Sequence, residues 1–160
     1  MTAALLAALL KNEGIKEVKN IHQDTWTLEE SESSQDSYKN QLTGSVYRMG
    51  VKTMGDVTVN FTIGQYDFVT KAEFLGGTVS EDGKSWERAR GTVNVQKCLI
   101  ALTVDDVYVV IPKANINAYE SNTDGAVGIA VKGTMLEPEV DGVAPEYWFL
   151  ASEVSKAQSV

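Results

Sequence analysis

Residues 56–63, DVTVNFTI, constrain the fold more than any other stretch of the chain. Val57, Val59, Phe61 and Ile63 share one parity, and Asp56, Thr58, Asn60 and Thr62 share the other. A two-residue period puts successive side chains on opposite faces of an extended backbone, so this is a strand with one face in a core. Such a strand needs neighbours, since a hairpin alone in water is only marginally stable. The remaining sequence supplies them. Apolar runs are divided by turn signals at Asp82–Gly83, Asp105–Asp106, Thr123–Asp124–Gly125 and Asp141–Gly142, a spacing of strands typical of sandwiches and barrels.

The pattern elsewhere fills in the elements. In GQYDFVTKAEFLGGT the period lengthens: Phe68, Ala72 and Leu75 recur at i, i+4 and i+7 before Gly76–Gly77. That predicts a short helix over about 66–75, with those three residues facing a sheet. Trp26 and Leu28 alternate with threonines, so a strand begins there and runs out into polar sequence. Val93, Val95 and Lys97 lie on one parity while Cys98, Ile100 and Leu102 lie on the other. This slip of phase predicts a bulge or a strand buried on both faces. Pro112 is expected to end VYVVI or to set it at an edge. KANINAYE, AVGIAVKGTM and EYWFL supply further strands. At the N-terminus, TAALLAALLKNEG predicts a helix over about 3–12, capped by Thr2 and closed by a left-handed Gly14. Leu5, Leu6, Leu9 and Leu10 give it an apolar face, expected to dock on its own domain. The class is therefore mainly β: a sandwich or barrel of two packed antiparallel sheets flanked by one short helix, plus the N-terminal helix. One domain spans 1–160, with an N-terminal helix and arm over 1–23, a long polar loop or hairpin arm over 29–50, and a C-terminal extension over 136–160.

Chemistry is sparse. Twenty-two acids against fourteen bases give a net charge of −8, which opposes sequence-driven binding to a phosphate backbone. With one cysteine, Cys98, and one histidine, His22, no internal disulfide and no Cys/His metal cluster can form, which fits a reducing compartment. Cys98 is expected as a small buried thiol and His22 as an incidental loop residue. The longest apolar run, Ala3–Leu10, is far short of a membrane span and lacks the basic flank of a signal peptide. There is no phosphate loop and no calcium loop of the EF-hand kind. The carboxylates of Glu29, Glu30 and Glu32 read as solvated, and Asp105–Asp106 as a turn, not as the pair a glycosidase needs. No catalytic constellation, cofactor or metal is expected. The strand faces opposite the core carry small polar residues, among them Thr58, Asn60, Thr62, Asn115 and Asn117, together with Ala126, Gly128 and Ala130. They suit a sheet that faces water or a lumen.

The strand DVTVNFTIGQYDF, the helix TKAEFLGG, the hairpin TVSEDGKSW and the strand VYVVIPKANINAYE resemble, in this order, the tail tube (major tail) proteins of long-tailed bacteriophages. DSYKNQLTGSVYR further resembles tube proteins of phages and prophages of Bacteroides-type hosts. The likeness covers roughly residues 24–135, and the helix, glycine pair and hairpin carry most of it. The Ala/Leu helix before Gly14 has no counterpart in it. The resemblance implies a β-sandwich flanked by a helix, shared with the inner tubes of contractile tails and type VI secretion. It implies homohexameric rings whose inner sheets join edge to edge, stacked through a long loop and the termini. The implied role is structural: a virion tail tube, built in the host cytoplasm, meeting terminator, baseplate or tape-measure proteins and passing DNA through a polar, net-negative lumen without binding it. Ring closure also pairs edge strands that would be a hazard on a monomer.

Within the polar arm, Tyr38, Gln41, Leu42 and Tyr47 mix apolar bulk with hydrogen-bonding groups, as protein interfaces do. They are the candidate subunit-interface residues, although Leu42 and Tyr47 read equally well as the start of the next core strand. Two other functions stay open. One is the inner tube of a contractile injection or type VI-like system. The other is a monomeric β-sandwich binding module, which calls for an exposed aromatic platform with Trp86 and Trp148 as candidates. The charge is unevenly placed. Residues 41–136 hold nine bases and ten acids, residues 1–40 four and seven, and residues 137–160 one and five. The acidic excess lies in the flanks.

Overall fold

The computed structural model describes residues 1–123 and 125–158. The elements are α1 (Ala3–Leu10), β1 (Thr27–Glu30), β2 (Ser34–Lys39), β3 (Val46–Thr53), β4 (Val57–Ile63), α2 (Phe68–Leu75), β5 (Thr78–Val79), β6 (Trp86–Glu87), β7 (Val95–Leu102), β8 (Val107–Thr123), β9 (Ala126–Met135), β10 (Tyr147–Leu150) and α3 (Ala151–Gln158). The class is the one expected: mainly β, with antiparallel strands in a sandwich-like arrangement flanked by short helices. The hydrogen-bond ladder of the body is continuous. It forms one six-stranded sheet in the order β1-β4-β9-β8-β10, with β7 on β8, and β2–β3 and β5–β6 make separate ribbons.

β4 follows its sequence closely. Val57, Val59, Phe61 and Ile63 are buried and the intervening residues are half-exposed. The apolar side joins Ile129 and Val131 of β9, Ile111, Ala114 and Ile116 of β8, and Phe74 of α2 in the main core. Phe74 meets Phe61 edge-on, with ring centroids 6.1 Å apart.

β8 departs from expectation at Pro112. The proline neither ends the strand nor marks an edge; it sits inside a 17-residue strand. There β10 pairs only with 107–110 and β9 only with 114–123, so no ladder partner asks for the missing proline N–H. On the opposite side, Lys97 pairs with Ala114 and Leu99 with Ile111, so β8 carries one more residue than β7 across the irregularity. The shift turns β8 over: Ile111 and then Ala114 face the same core. Beside it, β7 is half-buried on both faces, with Leu99 toward the main core and Ile100 toward a second one.

That second core is built by the chain ends. Leu6 and Ala7 of α1 and Val154 of α3 close over Val110, with Tyr108, Tyr147 and Phe149 around them. Thr2 caps α1 as expected, its Oγ1 accepting from Leu5 N at 3.3 Å. The helix docks on its own domain, but through Leu6, Ala7 and, in part, Ala3 and Leu10, while Leu5 is exposed. Lys11 is its C-cap in a right-handed conformation, and Gly14 does not take a left-handed one. α3 itself was not foreshadowed by the sequence pattern.

α2 is shorter and rotated relative to the predicted helix. Asp67 caps it by accepting from Thr70 N at 2.7 Å, which holds the Asp67 carboxyl below its ordinary pKa. Phe68 thus lies in the first turn and is exposed, and the buried contact is Phe74 with Leu75 beside it. Only two turns exist, so the stripe is set by the last turn against β8, not by an i, i+7 series. The β5–β6 ribbon turns at Asp82–Gly83 as expected, with Gly83 at φ 69°. In the turn expected at Thr123–Asp124–Gly125, Asp124 lies outside the described residues.

Candidate assembly surfaces

The polar segment between β1 and β4 folds as a hairpin arm. β2 and β3 pair only with each other, and every residue of both strands except Gly50 is exposed. Neither core contains a residue of this segment. Its root is closed by a two-bond clasp: Ser31 N donates to Asp56 O at 3.0 Å and Asp56 N donates to the Ser31 side-chain Oγ at 2.8 Å. Gly55 makes the clasp possible, because a Cβ there would lie 1.7 Å from the carbonyl oxygen of Ser31. At the tip, Asn40 Oδ1 accepts from Leu42 N at 2.8 Å and Thr43 N at 3.1 Å, an Asx-type turn that needs no core to hold it. Eight extended residues in β3 give the arm a reach of about 27 Å.

The arm carries apolar side chains that nothing among the described residues covers. Val46, Tyr47, Met49 and Val51 are all exposed along β3, whose register with β2 shifts twice, and Val51 is 91% exposed. Leu42 at the tip is 95% exposed. Between the two strands, the Arg48 guanidinium stacks over the Tyr38 ring at 5.5 Å, and Gln35 Nε2 donates to Gly50 O at 2.7 Å. All four candidate interface residues lie on the arm: Tyr38 on β2, Gln41 and Leu42 in the turn, Tyr47 on β3. Leu42 and Tyr47 do not begin a core strand. Val46, Met49, Val51 and Met54 belong with them as exposed apolar residues, and the alternation in VYRMGVKT was the signal that could have found them.

A second surface is the back of the main sheet. Register aligns Thr58 with Thr134 and Asn115, Asn60 with Lys132 and Asn117, and Thr62 with Ala130 and Tyr119. The small polar residues expected to face water therefore form one continuous carpet, to which β9 contributes the charge of Lys132 and the start of this stretch of β8 that of Lys113, paired with Glu139 at 2.6 Å. Edge strand β1 adds Thr27, whose Oγ1 accepts from Asn60 Nδ2 at 3.1 Å, and Glu29.

The residues of possible chemistry stay apart. His22 sits before β1, its backbone N–H donating to Thr62 O at 2.7 Å. Cys98 is exposed on β7, contrary to the buried thiol expected, because the irregularity at Lys97–Leu99 leaves Leu99 as the inward residue. Partial desolvation raises its pKa and keeps the thiol protonated. Glu29, Glu30 and Glu32 are solvent-exposed, and Asp106 takes a left-handed turn conformation at φ 57°. Among the described residues, no group of three His, Cys, Asp or Glu side chains could hold a metal ion. Nor, among the described residues, is any helix long and apolar enough to cross a membrane. Trp86 is no open platform: its Nε1 donates to Gly76 O at 2.9 Å, and Lys71 and Arg88 lie over its ring at 4.3 and 5.5 Å. Both cations are held by Glu120, at 2.7 and 2.9 Å, and hydrogen bonding to Lys71 lowers the Glu120 pKa. Trp148 on β10 is 56% exposed.

No protein-family model matches the chain, and no curated protein does.

Proposed function

We propose that the chain is a structural subunit that polymerises through stacked rings into a tail tube of the bacteriophage kind, a conduit through which DNA passes. The observation that carries the reading is the arm: a two-stranded hairpin clasped at its root, ordered at its tip and lined with uncovered apolar side chains. A lone hairpin is marginal in water, and exposed apolar surface of this kind marks contact with other proteins. The resemblance of the β4–α2–β5–β6 order to tube proteins supports the same reading. With the back of the main sheet turned inward, the wall of the conduit is polar and close to neutral, not net negative, since Lys132 faces it, Glu29 borders it and Lys113 is paired with Glu139. Such a wall offers almost no charge to bind phosphates, so a nucleic acid slides instead of adhering. In this reading the subunit resides in the virion tail.

Negative-stain microscopy of the purified protein tests it. Rings or hollow tubes are expected. A uniform population at 17.4 kDa across all concentrations contradicts it.

A further inference from the structure

The back of the main sheet is not polar throughout. Ile111 and Ala114 of β8 both face the main core, so Val110 and Asn115 point to the other side. Asn115 belongs to the polar carpet, whereas Val110 is fully buried in the second core. The two surfaces thus lie end to end on one face, and α1 and α3 stand on its apolar end, over Val110, Ile100 and Tyr108. What holds the helices there is separate from what holds the sheet. Among the described residues, none from α1, β10 or α3 belongs to the main core. β10 pairs with 107–110 of β8 and β9 with 114–123, so the β10 ladder ends before Pro112 and can break without disturbing that of β9. The connecting segments are pinned to the body up to the same boundary. Residues 11–26 are held by the Lys16–Glu73 ion pair and the Ile21–Ile63 bridge. Residues 136–146 are held by Leu136 N, which donates to Lys113 O at 2.9 Å, and by Glu139, 2.6 Å from Lys113 Nζ. Outside those pins, the second core, the four-residue β10 ladder and a bond from Ala151 N to Asp106 O at 2.8 Å attach the chain ends to the sheet.

We infer that α1, β10 and α3 form a hinged cover that opens as one unit while β4, β8, β9 and the main core stay folded. Helices of eight residues are not stable alone in water, so each depends on the other and on the small core between them. They pack together through Leu6, Ala7 and Val154, and α3 continues directly from β10, which makes the three elements one piece. A piece held by few buried contacts opens at a lower free energy than the whole molecule. Closed, the cover keeps the apolar end of the face out of water. Open, it leaves Val110 and Ile100 uncovered beside the carpet and frees the edge of β8 at 107–110, while β7 stays paired on the opposite edge. This goes beyond the proposed assembly and does not rest on it.

Thiol labelling of the full-length protein tests the cover. Three single variants are made in a Cys98→Ser background: Val154→Cys on α3, Val110→Cys beneath the cover, and Val131→Cys in the main core. The three valines are buried alike, at 1%, 0% and 3% exposure, so differences in labelling report opening and not surface access. Without denaturant, and at concentrations too low for assembly, DTNB should modify the first two at a common rate, roughly ten- to a thousandfold faster than the third. Equal rates at all three positions would show a single cooperative unit and overturn the inference. Fast labelling at Val154→Cys with Val110→Cys as slow as Val131→Cys would show α3 fraying alone, and would overturn it as well. To exclude loosening by the cysteines themselves, hydrogen exchange is followed on the unsubstituted protein. Amides of α1, β10 and α3 should lose protection together, before those of 57–63 and 126–135; loss of all of them in one event contradicts the cover. Both readouts are taken on the single subunit, so their failure leaves the proposed assembly standing, and a chain that never assembles leaves the cover standing.

Discussion

The body and the arm are both β-structure, yet they are stabilised in different ways. In the body, β4, β8 and β9 bury Ile63, Ile111 and Ile129 almost completely between the sheet and α2. In the arm, strands of similar length bury nothing and are held by a clasp, a capped turn and their own ladder. Hydrophobic burial contributes about 1.5–3 kcal/mol for each fully buried large side chain, so the body has a stability of its own. The arm has bonds that fix its shape and apolar residues that stay exposed. The contrast separates the part of the sequence selected to fold from the part that, in our reading, is selected to assemble.

The contrast is sharpest in a pair of truncations. Phe74→Ala removes the ring packed edge-on against Phe61 and is expected to cost about 3–5 kcal/mol in denaturant unfolding. Val51→Ala, on the arm, is expected to stay within about 0.5 kcal/mol when measured on the monomer. A large loss at Val51 would mean that the arm is part of the folding core after all. Next in size is the root. Gly55→Ala forces a Cβ against Ser31 and should cost about 1–3 kcal/mol. The damage should be local: limited proteolysis should cut within 31–56 before the body is touched, and simultaneous cleavage throughout would break the distinction.

Smaller still in stability is the double variant Tyr38→Ala with Gln41→Ala, expected to shift unfolding by about 0.5 kcal/mol or less per site. Tube growth should nevertheless be impaired, and tubes of normal length would remove these residues from the interface. The smallest effect belongs to the body's surface. Glu120, held by Lys71 and then Arg88, has its carboxyl pKa lowered in the folded state. Its contribution is present above the unfolded value of about 4.3 and is lost as pH falls through the lower folded value. The pair is partly exposed, so the contribution is well under about 1 kcal/mol. Glu120→Gln should therefore flatten slightly the loss of thermal stability on acidification below about pH 4.3. A steeper loss in the variant would contradict the assignment.

The same contrast explains what could be read from the chain. β4 was legible because one face is buried and the other wet, which writes a strict alternation into DVTVNFTI. The turn at Asp82–Gly83 and the cap at Thr2 were legible because their chemistry is local. Pro112 misled because its tolerance depends on the gap between β10 and β9, a tertiary fact with no local trace. The helix stripe at Phe68, Ala72 and Leu75 misled because in two turns the docking of Phe74 outweighs a longer period. α3 went unseen because it is eight residues long and stabilised by Val154 against α1. On the arm, Tyr38, Gln41, Leu42 and Tyr47 were marked out by mixed polarity, but Met49 and Val51 were not, since an uncovered apolar alternation reads like any core strand. The carpet on the back of the sheet was visible strand by strand; only the register joined Thr58, Thr134 and Asn115 into one surface.

Sedimentation velocity on the full chain beside a variant in which residues 33–54 are replaced by a short glycine-serine turn tests the central claim most directly. The arm-less protein should unfold at nearly the same denaturant midpoint and remain at the mass of one subunit at every concentration. The full chain should shift to rings and larger polymers as concentration rises. Equal assembly by both proteins, or a full chain that never leaves 17.4 kDa, would contradict the account.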